Sequence, residues 1–189
     1  RTPFFMLEGL SRLYSNLHNK KKFEKLKVRF KQIEDALGAI DYYDHVHLNV
    51  SADSRVPENV KEYLRAQSRE KIQSLNEILV EEGWIGKEAS RINKIREKLS
   101  EAEWLSPQNE AEKVEAFYQK EIAKINTEIP EPGHFFTEIE LQVHELRRDL
   151  RWLSIYPQCL RGMIQYQQNG IADPLTNKYL EQDIVNLSL

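Results

Sequence analysis

The chain has 189 residues, of which 30% are charged and 40% hydrophobic, with seven glycines, seven prolines and a net charge of −3. That is length enough to bury a real core, and the composition is that of a helical protein. The near-neutral balance argues against a general nucleic-acid binder, which carries a basic excess, but leaves room for a local basic patch.

A lone cysteine, Cys159, makes no internal disulfide, so a reducing, cytoplasmic setting is expected. No apolar run approaches the length that spans a bilayer, and no association with a membrane is expected. The chain opens at Arg1 rather than methionine and shows no secretory signal pattern, while Val185 to Leu189 read as helix without a cap. The expectation is an excised domain.

Residues 3–18 form a first helix, with Phe4, Leu7, Leu10, Tyr14 and Leu17 at three- and four-residue steps and Pro3 in the first turn. Asn19 is placed to cap a second helix that reaches about Val46 through the seam Leu26, Phe30, Ile33, Leu37 and Ile40. Lys22, Lys25 and Arg29 run along one border of that seam, where long stems lie on the core edge and direct charge into a neighbouring groove. The plainer reading of this lysine-rich face is solvated surface.

A polar loop over residues 49–57 leads to a third helix at 58–82, ended by Gly83 and Gly86. A fourth helix is expected at 87–104 and a fifth from Ser106-Pro107, serine as cap and proline at the first helical position, to about Ile129. Pro130 to His134 is the clearest break. A long helix follows at 137–168, then an Asn169-Gly170 turn and a last helix opened by Asp173-Pro174. No strand shows alternation. The expected architecture is all-α, an up-and-down antiparallel bundle of about seven helices forming one domain over 1–189.

Within 137–168, His144, Arg147, Arg148 and Arg151 fall at i, i+3, i+4 and i+7 and form one basic stripe. Ile139, Val143, Leu146, Leu150 and Leu153 make an apolar seam on one side of it. Leu141, Trp152, Ile155 and Cys159 make another on the far side, with Pro157 expected to kink or end the helix near Tyr156. A basic stripe between two apolar seams is expected to face a cleft that holds an anion, because half-buried cations are costly unless paired. The plainer alternative is surface charge paired locally, for instance with Glu140.

The stripe His144-x-x-Arg147-Arg148-x-x-Arg151, together with a helix ending Ala36-Leu37-Gly38-Ala39-Ile40-Asp41-Tyr42-Tyr43-Asp44, resembles the CHAD family, the conserved histidine α-helical domain. The resemblance implies two helical repeats around a basic groove, here a first over 1–129 with its start missing and the beginning of a second over 137–189. It implies that His144, Arg147, Arg148 and Arg151 open the second repeat, that Leu37-Gly38 and Asp44 end the second helix of the first, and that Lys25 and Arg29 lie where that helix is basic. It further implies binding of inorganic polyphosphate or another phosphate-rich anion, without catalysis and without a cofactor. Asp41-Tyr42 stands where the family often has arginine and aspartate.

Arginine offers planar paired donors to phosphate oxygens and lysine adds a mobile point charge, so this residue set suits such a ligand. Two other classes compete. One is a helical scaffold for a protein partner. The other is a metal-dependent enzyme using Asp41, Asp44, His45 and His47, three of which share a helix face. Helical Glu-x-x-His motifs of a di-iron bundle, phosphate-cradling glycine loops and metalloprotease motifs are absent from the chain.

Overall fold

A computed structural model describes residues 1–87, 89–131 and 134–161. Among these the regular structure is six α-helices and one π-helical segment, with no strand. The helices are α1 (Thr2–Leu17), α2 (Lys20–Ser51), α3 (Glu58–Glu81), α4 (Arg91–Ser100), α5 (Pro107–Glu128) and α6 (His144–Cys159). The chain is therefore an all-α helical bundle, and no helix among the described residues is long and apolar enough to cross a membrane. The seventh helix expected after Asp173-Pro174 lies outside the described residues.

Helix α1 packs against α2, α5 and α6, and α2 also pairs with α3. A helix enclosed on several sides buries more than one stripe. Leu13 is completely buried although it lies off the expected seam, and Glu8, Gly9 and Ser11 are buried too, whereas Leu7 of that seam is 39% exposed.

Gly9 marks the closest approach to α6. A Cβ at this position would meet Cys159 Sγ at 2.9 Å and Ile155 Cγ2 at 3.0 Å, so the absence of a side chain is what lets the two helices touch.

Two apolar clusters flank α1. One joins Leu13 and Leu17 to Phe117 of α5 and to Tyr156 and Leu160 at the end of α6. The other joins Phe23, Leu26 and Phe30 of α2 to Phe4, Trp84, Ile95 and Leu99. Each fully buried side chain of this size contributes about 1.5–3 kcal/mol relative to exposure.

Several boundaries differ from the sequence expectation. α2 continues past Val46 to Ser51, because its later turns pair with α3. Asp44 accepts a hydrogen bond from the Ser68 hydroxyl at 2.5 Å, and His47 Nε2 accepts from Arg65 Nε at 2.8 Å. Helix α4 is shorter than expected. It begins only after a loop in which Gly83 and Gly86 take positive φ and Arg91 donates to the Glu82 carbonyl at 2.7 Å.

Ser106 caps α5 as expected, accepting from the Asn109 amide at 3.3 Å. The long helix expected at 137–168 is instead a π-helical stretch, Ile139–Val143, followed by α6. The change of pitch moves Ile139 and Leu141 off the arcs that a continuous α-helix would give them. Pro157 does not end α6 at Tyr156, since the helix carries it internally and runs on to Cys159.

Candidate functional site

The amino-terminal half of α2 is the most basic part of the fold, and its apolar face fixes where the cations go. Phe23, Leu26 and Phe30 are buried against α4 side chains Ile95 and Leu99, so the residues bordering that seam are held along the line where the two helices meet. The result is a groove of about 310 Å³ lined by Lys21, Lys22, Lys25, Leu26, Arg29, Lys98 and Glu101. Lys22 and Arg29 are half-buried, and Lys21, Lys25 and Lys98 are exposed.

The ammonium of Lys22 donates to the Lys98 carbonyl at 2.6 Å, clasping the last turn of α4 to α2. Carbonyls at a helix carboxyl end carry partial negative charge, which favours this contact. Among the other cations of this helix, Lys20 lies 3.9 Å from Glu24 and Lys31 lies 2.7 Å from Asp35, whereas Lys27 forms no salt bridge with a described carboxylate. The five cations of the groove form no salt bridge with any carboxylate among the described residues, Glu101 included.

Lys22, Lys25 and Arg29 line this groove together with Lys21 from α2, and Lys98 faces them from α4. Lys98 was not legible as a partner because it is about 70 residues away in sequence, and its only local signal is a basic residue in the last turn of α4.

The α6 stripe has a different setting. His144, Arg147, Arg148 and Arg151 are all exposed, so among the described residues the expected cleft is not formed around them. The seam on one side is covered only in part: Leu146 and Leu153 are half-buried, while Ile139 is 76% exposed and Leu150 is 50% exposed. On the other side Leu141 is 71% exposed, while Trp152, Ile155 and Cys159 do pack on α1.

Within the stripe, His144 Nδ1 lies 4.0 Å from Glu140, Arg148 pairs with Glu145, and the Arg151 guanidinium rests 4.9 Å from the centre of the Phe5 ring. Two of the four positions therefore have acidic neighbours within one turn, and a third stacks on α1. α2 and α6 do not form a packed pair, each lying instead against α1, so the groove and the stripe are separate basic surfaces.

The residues weighed as metal ligands are drawn apart. Asp41 lies 3.6 Å from Arg1 Nη1, Asp44 takes the Ser68 hydroxyl, and His47 takes Arg65. Asp41, Asp44 and His45 line one open hollow of about 690 Å³, and the Arg1 guanidinium lines it too, a cation that opposes a metal there. No group of three or more His, Cys, Asp or Glu side chains among the described residues is placed to hold a metal ion.

One cluster was missed altogether. His18 sits at the α1–α2 junction against the rings of Tyr14, Phe23 and Trp104, with centroids 5.4, 5.7 and 5.4 Å away. Its Nδ1 is 2.6 Å from the Asn19 side-chain amide, and its Nε2 is buried without a partner. Burial in this apolar box pushes the imidazole below its ordinary range, against the pull of Glu110. Asn19, in the left-handed conformation, stands at the start of α2 but does not cap it with its side chain, which is turned to His18 instead. Comparison with protein-family models, with curated proteins and with solved structures finds no match to this chain.

Proposed function

We propose that this chain is a non-catalytic polyanion-binding module, a divergent or partial member of the CHAD family, whose ligand is inorganic polyphosphate or another phosphate-rich anion. The observation that carries this reading is the α2–α4 groove, where Lys21, Lys22, Lys25, Arg29 and Lys98 converge without a carboxylate salt bridge while Lys20 and Lys31 beside them are paired. Unneutralised cations held along a helix junction leave a positive field, and a linear anion answers it with one charge per repeat. Helical spacing supports the match, because each turn of α2 offers another donor. In this reading the groove is the primary face, and His144, Arg147, Arg148 and Arg151 form a second, weaker one.

The test is thermal stability with long-chain polyphosphate at low and at moderate salt, for the wild type and for Lys25→Ala with Arg29→Ala. A melting temperature that rises with polyphosphate, falls back with salt and loses the rise in the double variant supports the groove. No rise at low salt rejects the reading. The parallel variant Arg147→Ala with Arg151→Ala measures what the stripe adds.

A second reading, a helical scaffold for a protein partner, is favoured by one observation. Ile139, Leu141 and Leu150 stay exposed beside the stripe, and apolar surface of this kind serves as a docking face in many proteins. That reading predicts no salt-dependent affinity for anions.

A further inference from the structure

We infer that His18 and Asn19 form a protonation-controlled latch that holds one wall of the α2–α4 groove in place. The Asn19 side-chain nitrogen lies 3.0 Å from the Glu103 carbonyl as well as 2.6 Å from His18 Nδ1. A carbonyl only accepts, so the amide atom facing it must be the NH₂ end. That assignment in turn makes His18 Nδ1 an acceptor, and the neutral ring carries its proton on Nε2, inside the aromatic box. The bridge works only with this tautomer.

Protonation puts a hydrogen on Nδ1, directly opposite the amide hydrogens. Asn19 cannot adapt by turning over, since its oxygen would then face the Glu103 carbonyl, acceptor against acceptor. Asn19 cannot keep both contacts once His18 is charged: staying in place sets its N–H against the Nδ1 hydrogen and pushes the amide away, and turning over gives up Glu103. Glu103 lies just past Lys98 and Glu101, which line the groove from the α4 side, so releasing it loosens that wall.

The groups around His18 set the pH. Tyr14 of α1, Phe23 of α2 and Trp104 of the α4–α5 loop supply rings. From α5, Glu110 favours the charged ring, and it is itself bonded to the Tyr14 hydroxyl; Lys113, whose ammonium donates to the Leu17 carbonyl at 2.9 Å, opposes it. Burial is the largest influence and keeps the ring neutral at neutral pH. The latch is closed there and opens as pH falls below the ordinary histidine range. The effect on ligand binding rests on the groove being the anion site; the latch itself does not.

The experiment follows the assigned His18 ring resonances by NMR through an acid titration of the whole chain, alongside amide hydrogen exchange, corrected for intrinsic chemistry, at Glu101 and Ala102, whose N–H groups donate to the Glu97 and Leu99 carbonyls. Exchange at these two amides should quicken about fivefold with the midpoint of His18. In Asn19→Ala it should be fast at every pH. Exchange that ignores the His18 midpoint, or that stays slow in Asn19→Ala, overturns the latch. Polyphosphate melts at neutral pH test the groove independently: if they show no binding while exchange still tracks His18, the function is wrong and the latch stands.

Discussion

The hydroxyl of Tyr118 on α5 donates to the carbonyl of Leu153 on α6 at 3.3 Å. Leu153 is four residues before Pro157, so its carbonyl is the one that proline leaves without a helical donor. A side chain from a neighbouring helix thus supplies what the missing N–H cannot, and α6 continues through the proline to Cys159. Burial pushes the Tyr118 phenol up to about 12, so the donor keeps its proton throughout the neutral range.

Tyr118→Phe should cost about 0.5–1 kcal/mol in chemical unfolding, the lower end for a buried bond because this one is long. Pro157→Ala restores the backbone donor and should stabilise α6. In that background Tyr118→Phe should cost almost nothing. A double-mutant cycle in which the two changes simply add would show that the hydroxyl does not compensate for the proline.

Gly9→Ala sets two effects against each other. A glycine within a helix gives up about 1 kcal/mol relative to alanine. The new Cβ would press on Cys159 Sγ and Ile155 Cγ2, both fixed between helices, and overpacking of this kind costs about 1–3 kcal/mol. The packing term should win, giving a net loss of about 1 kcal/mol in the free energy of unfolding by denaturant. Cys159→Ala in the same chain removes the nearest obstruction and should recover part of the loss. A Gly9→Ala protein as stable as the wild type would mean that α1 and α6 separate at little cost.

Glu8 is 5% exposed on α1, and its carboxylate accepts no hydrogen bond from a described residue. Burial pushes its carboxyl up, against the pull of Lys31 and with the push of Glu34. The sign follows from that direction. Below the ordinary carboxylate range the group is protonated in the folded and unfolded chains alike and costs nothing. As pH rises the unfolded chain ionises first, so stability falls until the folded group ionises too, and the penalty is constant above that. Glu8→Gln should therefore match the wild type in acid and exceed it near neutrality, read from urea unfolding at a series of pH values. A difference that does not change with pH would remove charge burial as its cause.

What could be read from the sequence was mostly what is decided within a few residues. The Ser106-Pro107 start of α5, the Gly83 and Gly86 stop after α3, and the α2 seam through Leu26, Phe30 and Ile33 follow from capping, φ freedom and periodicity. The packing of α1 on several sides did not, because periodicity finds one apolar face, and a helix covered on several sides also buries Leu13, Gly9 and Ser11. The π-helical pitch at Ile139–Val143 leaves no mark in residue spacing, and it displaced Ile139 and Leu141 from the seams, while the stripe on α6 kept its helical spacing but lies exposed among the described residues. Lys22, Lys25 and Arg29 were legible as one helix border. Their groove needed Lys98, which only the packing of α4 brings near.

Glu101 is the one carboxylate lining that groove among the described residues, and it offers a test of the anion reading with the opposite sign to cation removal. Glu101→Gln keeps shape and hydrogen bonding but deletes a negative charge beside the ligand path. Polyphosphate affinity should rise about two- to fivefold at low salt, and the gain should shrink as salt screens the groove. Lys25→Ala with Arg29→Ala should do the reverse. It should also flatten the dependence of log affinity on log salt by about 2, one for each lost phosphate contact. Isothermal titration across a salt series reads both. A Glu101→Gln protein with unchanged affinity, or a double variant with an unchanged salt slope, would place the anion elsewhere on the molecule, and Arg147 and Arg151 of α6 would be the next pair to remove.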